Sequence, residues 1–303
     1  MTTPRSEREG RFFGCGTALV TPFTRGGEVD EGALRALVDW QIAEGIHFLV
    51  PCGSTGEAAT MTLPEQRRVV EIVVEQVRGR VPVVAGAGSN DTRRAVAISR
   101  EMRDAGATHL LHVSPMYNKP PQRGLVAHFR AVAEATELPV ILYNVPGRTG
   151  SNIEARTTLE LATVPNIVGI KEASGNLAQI SDIIRERPPH FSVLSGDDAL
   201  TLAVMAAGGD GLISVTSNAA PRAMAELVER GARGDAAGCR ELHYRLVPWM
   251  QAAFVESNPI PVKAALAMQG RIENVLRLPL VPLSDTHAAA VRASLVAAGA
   301  LTS

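Results

Sequence analysis

Val140-Ile-Leu-Tyr143, the amphipathic stretch Glu154–Thr163 and Asn166-Ile-Val-Gly-Ile-Lys171 form one repeat of a pattern that fills three quarters of the chain. The two apolar runs are short and rich in β-branched residues, as strands buried on both faces are, and the stretch between them has helical spacing. Working outward, similar runs stand at Cys15–Val20, His47–Val50, Val81–Ala85, Thr108–Val113, Phe191–Leu194 and Gly211–Val215. They alternate with Glu31–Glu44, Pro64–Arg78, Thr92–Ala105, Gln122–Glu137, Asn176–Arg187 and Asp198–Ala207. Such alternation means parallel strands joined by right-handed helical crossovers. Eight units spaced by roughly 20 to 35 residues predict an α/β fold, a closed (β/α)8 TIM barrel. The runner-up is a doubly wound open sheet, but no Gly-x-Gly-x-x-Gly follows the first run.

Several helix starts carry their own signals. Pro64 fits a first turn, Asn90-Asp91 and Asn176 can cap, and Asn152-Ile-Glu154 opens another helix. Ala223–Arg230 closes the eighth unit; Asp235–Val255, Pro261–Gln269 and Thr286–Ala298 then read as helices with no strand between them. The expected division is a loose tail over 1–11, a barrel over 12–234 and a C-terminal helical domain over 235–303.

The formal charge of −1 offers no basic face to a nucleic acid, and no apolar run approaches the 18 or so residues that span a bilayer. The polar amino terminus lacks a secretory apolar core. Cys15, Cys52 and Cys239 are widely spaced and odd in number, with no zinc-like Cys/His spacing. The expectation is a cytoplasmic protein with reduced thiols, no metal and no membrane or nucleic-acid partner.

Chemistry in such a barrel sits at the carboxyl ends of the strands. Lys171 stands there, one of three lysines in a chain whose 27 other Lys+Arg side chains, of 30, are arginine. At the end of an apolar strand its ammonium is desolvated, which favours the neutral, nucleophilic amine. A strand-end lysine that snorkels to water is the plain alternative. The second run ends in Gly53-Ser54-Thr55-Gly56-Glu57, whose glycines let backbone N–H groups approach an anion, and Tyr117 and Tyr143 lie at the ends of the fourth and fifth runs. Each feature alone has an ordinary structural reading. Together they describe a Schiff-base enzyme for a 2-oxo acid.

At these motifs the chain resembles the dihydrodipicolinate synthase / N-acetylneuraminate lyase family of class I aldolase-like barrels. The likeness runs from Gly16-Thr-Ala-Leu-Val-Thr-Pro-Phe23 to Arg277-Leu-Pro-Leu-Val-Pro-Leu-Ser284 and includes Gly53-Ser-Thr-Gly-Glu57, Tyr143-Asn-Val-Pro and Gly169-Ile-Lys-Glu172. Tyr117-Asn-Lys-Pro120, Arg148 within Pro146-Gly-Arg-Thr-Gly150, and Ser257-Asn-Pro-Ile-Pro-Val-Lys263 point to its synthase branch. The resemblance implies a Schiff-base-forming lyase that needs no cofactor and serves the diaminopimelate route to lysine. It implies that Lys171 forms an imine with pyruvate and that Ser54 and Thr55 hold the pyruvate carboxylate. Arg148 would hold the carboxylate of L-aspartate 4-semialdehyde, and Ile213 would offer its carbonyl near the pyruvate. Tyr143 would pass protons through Ser54 to a Tyr117 supplied by a neighbouring subunit, in a homotetramer of tight dimers. A sugar-acid aldolase of the same family, the alternative, would share Lys171 and Tyr143 without needing Arg148.

Two departures stand out. Ser54 occupies a position where many synthases carry threonine, and Met116 replaces an aromatic residue. In lysine-inhibited members, an interface pocket matches Leu63, Gln66, Asn90, Arg94 and Met116 here, beside Ala58. An arginine in place of a glutamate repels lysine's ammonium. L-Lysine is therefore expected to inhibit weakly or not at all, and a half-inhibiting concentration below about 1 mM, roughly 4 kcal/mol of binding, would contradict this.

Overall fold

In the computed structural model, which describes residues 7, 8 and 10–302, eight parallel strands form the wall of a barrel. They are β1 (Gly14–Ala18), β2 (Phe48–Val50), β3 (Val84–Gly86), β4 (His109–Val113), β5 (Val140–Asn144), β6 (Ile167–Glu172), β7 (Ser192–Ser195) and β8 (Gly211–Ser214). Their spatial order is β2-β1-β8-β7-β6-β5-β4-β3. The seam between β2 and β3 closes through a parallel Leu49–Val83 bridge and the bonds Leu49 N–H to Pro82 O (3.0 Å) and Gly86 N–H to Pro51 O (2.9 Å). Each observed strand overlaps its predicted run. The third shifts most, to Val84–Gly86 instead of Val81–Ala85.

Helices α1 (Glu31–Ala43), α2 (Leu63–Val77), α3 (Thr92–Asp104), α4 (Gln122–Glu134), α5 (Ala155–Leu161), α6 (Leu177–Glu186), α7 (Thr201–Ala206) and α8 (Pro221–Ala232) cover the outside. Their starts follow local chemistry. Thr62 and Glu65 make a reciprocal capping box on α2, Asp91 accepts from Arg93 N–H (3.1 Å), and Asn176 accepts from Gln179 N–H (3.1 Å). The predicted seventh helix starts later than expected. Asp198–Leu200 is a 3-10 turn, because the Asp198 carboxylate is buried against the end of β8, where it accepts from the Thr216 hydroxyl (2.6 Å) and Val215 N–H (3.1 Å). Burial raises the pKa of Asp198, and those hydrogen bonds oppose the rise.

Helices α9 (Ala236–Ala252), α10 (Ile260–Met268) and α11 (Asp285–Ala297) follow the barrel without intervening strands. Trp249, fully buried, docks α9 by donating its indole N–H to Thr216 O (3.0 Å). Apolar residues of all three helices merge into the cluster that packs α1–α3 and α8 on the barrel. No helix among the described residues is long and apolar enough to cross a membrane.

Residues 1–6 and 9 of the expected loose tail lie outside the described residues. The remainder is ordered: Glu7–Arg8 pairs antiparallel with Arg11–Phe12. Phe12 enters the cluster that fills the barrel, its ring 4.6 Å from those of Phe48 and His109. The hairpin therefore stops the amino-terminal end of the barrel. At the same end Asp210 binds Arg11 (2.7 Å), Arg187 and the N–H of Val193 (2.9 Å) while 7% exposed. Asp210→Ala leaves two guanidinium groups without this partner. Its unfolding free energy should fall by about 3 kcal/mol, while turnover per folded molecule, measured beside it, changes little because this end is remote from the chemistry.

Candidate active site

The parallel register of β5 and β6 sets the chemistry. Val140 pairs with Ile167 but Ile141 with Gly169, so one residue, Val168, is bulged out. The shift brings Tyr143 opposite Lys171 and Asn144 opposite Glu172. Side chains alternate along a strand, so Tyr143 and Lys171 both face the barrel interior, and Asn144 and Glu172 face outward. There the Asn144 amide donates to Glu172 (3.0 Å), which also accepts from Gln179 (3.0 Å) and Ser174 N–H (2.7 Å).

Lys171 is 5% exposed, and its ammonium lies 4.3 Å from the centroid of the Tyr143 ring. Its stem passes over Gly196, where a Cβ would meet Lys171 Cγ at 3.0 Å and Ala173 Cβ at 2.7 Å. Above it opens a cavity of about 470 Å³ lined by Lys171, Tyr143, Ser54, Thr55 and Arg148 among others. Five of the seven predicted site residues thus meet on one rim. Arg148 reaches the rim from a short helix, Pro146–Thr149, that directly follows β5.

Two predicted residues do not join them. Ile213 is fully buried inside the barrel, paired with Gly16, and its side chain is not part of the cavity wall. Tyr117 is 87% exposed at a positive φ of 75° and does not line the cavity of its own chain. The cavity also takes in Ala58, Gln66, Asn90, Arg94 and Met116, so the recess matched above to a lysine pocket is continuous with the space over Lys171.

The turn after β2 has the form of an anion cradle. Gly56 N–H donates to Gly53 O (3.0 Å) and Glu57 N–H to Ser54 O (3.2 Å), a tight turn that ends with Glu57 at a positive φ of 53°. The N–H groups of Ser54 and Thr55 donate to no other group among the described residues. Sequence reasoning missed what holds this turn. Glu57 is buried and paired with Lys263 of α10 (2.5 Å), a lysine that burial pushes below its ordinary pKa while Glu57 opposes the shift. The second carboxylate oxygen of Glu57 accepts from Arg277 N–H (3.1 Å). The scarcity of lysine that singled out Lys171 could have singled out Lys263 too.

The cysteines take no part. Cys15, Cys52 and Cys239 are free and buried, and burial raises each thiol, that of Cys52 to about 12. What remains is a buried primary amine beside a phenol, next to a carboxylate cradle. That set suits nucleophilic attack on the carbonyl of a small oxo acid.

Residues 11–298 match the model of the Dihydrodipicolinate synthetase family. The chain is 52% identical to the 4-hydroxy-tetrahydrodipicolinate synthase of Koribacter versatilis, over 96% of this chain and 97% of that one. The solved dihydrodipicolinate synthase of Thermotoga maritima superposes with a TM-score of 0.94 at 43% identity, covering 96% of this chain and 99% of that one. The chloride-inhibited enzyme of Acinetobacter baumannii, solved with pyruvate, gives 0.94 at 42% identity over 95% and 99%.

Gly196→Ala should displace the Lys171 stem, because the added methyl meets the stem and the Ala173 methyl at once. Reductive trapping of a 2-oxo acid on Lys171 by borohydride should slow by at least about tenfold, roughly 1.4 kcal/mol, with the melting temperature reporting whether the fold survives.

Proposed function

This chain belongs to the dihydrodipicolinate synthetase family, and on that premise we propose that Lys171 forms a Schiff base with pyruvate and condenses it with L-aspartate 4-semialdehyde. The chain is an enzyme, a lyase acting as a 4-hydroxy-tetrahydrodipicolinate synthase in the diaminopimelate route to lysine. The observation that carries the catalytic assignment is the Lys171 amine held 4.3 Å from the Tyr143 ring on the rim that also presents Ser54, Thr55 and Arg148.

Pyruvate's carboxylate accepts from the free N–H groups of Ser54 and Thr55, placing its C2 beside Lys171. The amine adds to C2, and loss of water gives an imine. Loss of a proton from the methyl carbon gives an enamine. That carbon attacks the aldehyde of the semialdehyde, whose oxygen takes up a proton. Arg148, a planar fork, holds the semialdehyde carboxylate in two parallel hydrogen bonds. The semialdehyde's amine then attacks the imine carbon, expels Lys171 and closes the ring. The imine is the electron sink, so the chemistry is carried by the chain's own groups.

Tyr143 is the proton carrier nearest the amine, and Ser54 is next in the relay. Tyr117 is exposed and absent from the cavity of its own chain, which supports its delivery to the site of a second copy. That delivery needs a dimer, and the homotetramer of tight dimers is part of the same proposal through the family resemblance. A contact of the Ile213 carbonyl with pyruvate, one residue before the end of β8, belongs to the same proposal and does not depend on assembly. A cytoplasmic location belongs to the same proposal and is supported by the free thiols.

The test is turnover of pyruvate with L-aspartate 4-semialdehyde in a coupled assay. Lys171→Ala should abolish both turnover and borohydride trapping of pyruvate. Arg148→Ala should keep trapping and lose about 100-fold in kcat/KM for the semialdehyde, roughly 2.7 kcal/mol. An Arg148→Ala variant with full activity, or a wild type inactive with the semialdehyde yet active on a sugar acid, would move the assignment to the aldolase branch.

A further inference from the structure

The N–H donors of the pyruvate cradle belong to the barrel, yet residues that fix the cradle come from beyond it. Asn258, just ahead of α10, donates from its side-chain amide to the Thr55 hydroxyl oxygen at 2.8 Å, across 203 positions of sequence. Asn258 is 7% exposed and Thr55 3%, so water does not compete freely for this bond. A threonine hydroxyl has one proton to give and lone pairs to receive with. Receiving from Asn258 commits a lone pair, and the Thr55 hydroxyl donates to no group among the described residues. The free proton belongs to the same residue whose backbone N–H is also free in the cradle.

We propose that Asn258 is a positioning residue that holds the Thr55 hydroxyl as a donor to the pyruvate carboxylate, so that the C-terminal helical segment completes the substrate site. The inference rests on the Schiff-base reading above. Two further contacts tie the same turn to the same segment: Lys263 to Glu57 (2.5 Å) and Arg277 N–H to Glu57 (3.1 Å). They fix where the turn lies, and Asn258 fixes which way its hydroxyl faces. The opposite amide orientation would put Oδ1 against Thr55 and consume the proton that the carboxylate needs. In the observed orientation Oδ1 is buried without a hydrogen-bond partner.

The experiment measures borohydride trapping of pyruvate on Lys171 against pyruvate concentration, with coupled-assay KM values for both substrates. Asn258→Asp, which can only accept at neutral pH, should reverse the hydroxyl and raise the half-saturating pyruvate concentration by about 30-fold. Asn258→Ala should raise it by about five-fold. In both variants KM for the semialdehyde should move less than about threefold.

Thr55→Val removes the hydroxyl and supplies the decisive background. There Asn258→Ala should cost nothing further, because its whole effect passes through Thr55. Asn258→Ser, too short to reach Thr55, replaces Asn258→Ala if that variant fails to fold. Additive losses in the Thr55→Val background, or equal KM changes for both substrates, overturn the inference. A wild-type protein that traps no pyruvate overturns the Schiff-base reading itself, an outcome separable from the others because it needs no variant.

Discussion

The site depends on a single offset between two neighbouring strands. If β5 and β6 kept the pairing of Val140 with Ile167, Tyr143 would stand beside Ile170. The bulge at Val168 slides β6 by one residue, and with a side-chain period of two that slide decides which groups face the barrel axis. Lys171 and Tyr143 turn inward together, while Asn144 and Glu172 turn outward together. The outward pair forms its own network with Gln179 and Ser174, so slipping back would bury an amide and a carboxylate without those partners. Each face of β6 thus opposes slippage of the other, and catalytic geometry and strand stability are set by the same register.

A second constraint joins the barrel to its helical extension. Glu57 and Lys263 are both fully buried, and removing one partner of such a pair leaves an uncompensated charge, at about 3–5 kcal/mol. The pair lies under the cradle, two residues from Thr55. The extension therefore acts on the site through the fold, because the turn proposed to receive the substrate cannot relax without disturbing α10. Arg277 continues this bracing outward, with its guanidinium on Glu65 (2.5 Å) and on the carbonyls of Thr60 (3.0 Å) and Gly27 (2.9 Å).

Local pattern made the barrel legible. β-Branched runs and amphipathic stretches report period and burial, and these eight units repeat both. The place of Lys171 was legible because a rare lysine closes an apolar strand, and such a local mismatch is where a site is sought. Contacts between distant residues were not legible. Glu57 reads as the end of a turn until its partner, 206 positions away, is known. Asp198 reads as a helix start, and only its bonds to β8 show why the helix waits for Thr201. Residues 10 and 11 look like tail because nothing nearby in sequence reveals that Phe12 belongs inside the barrel. Tyr117 is the reverse case: the motif around it is recognisable, and the role proposed for it depends on a second copy of the chain.

The hairpin that carries Phe12 has a consequence for traffic. With Phe12 packed against Phe48 and His109 and the barrel interior filled by side chains, the cavity over Lys171 opens at the opposite end, at the carboxyl ends of the strands. Under the Schiff-base proposal, the water lost on imine formation, the second substrate and the finished ring share that opening. A molecule seated against the floor cannot leave past one that sits above it. Under the Schiff-base proposal this shared opening sets an order of arrival: the molecule that bonds to Lys171 enters first, and its partner settles above it.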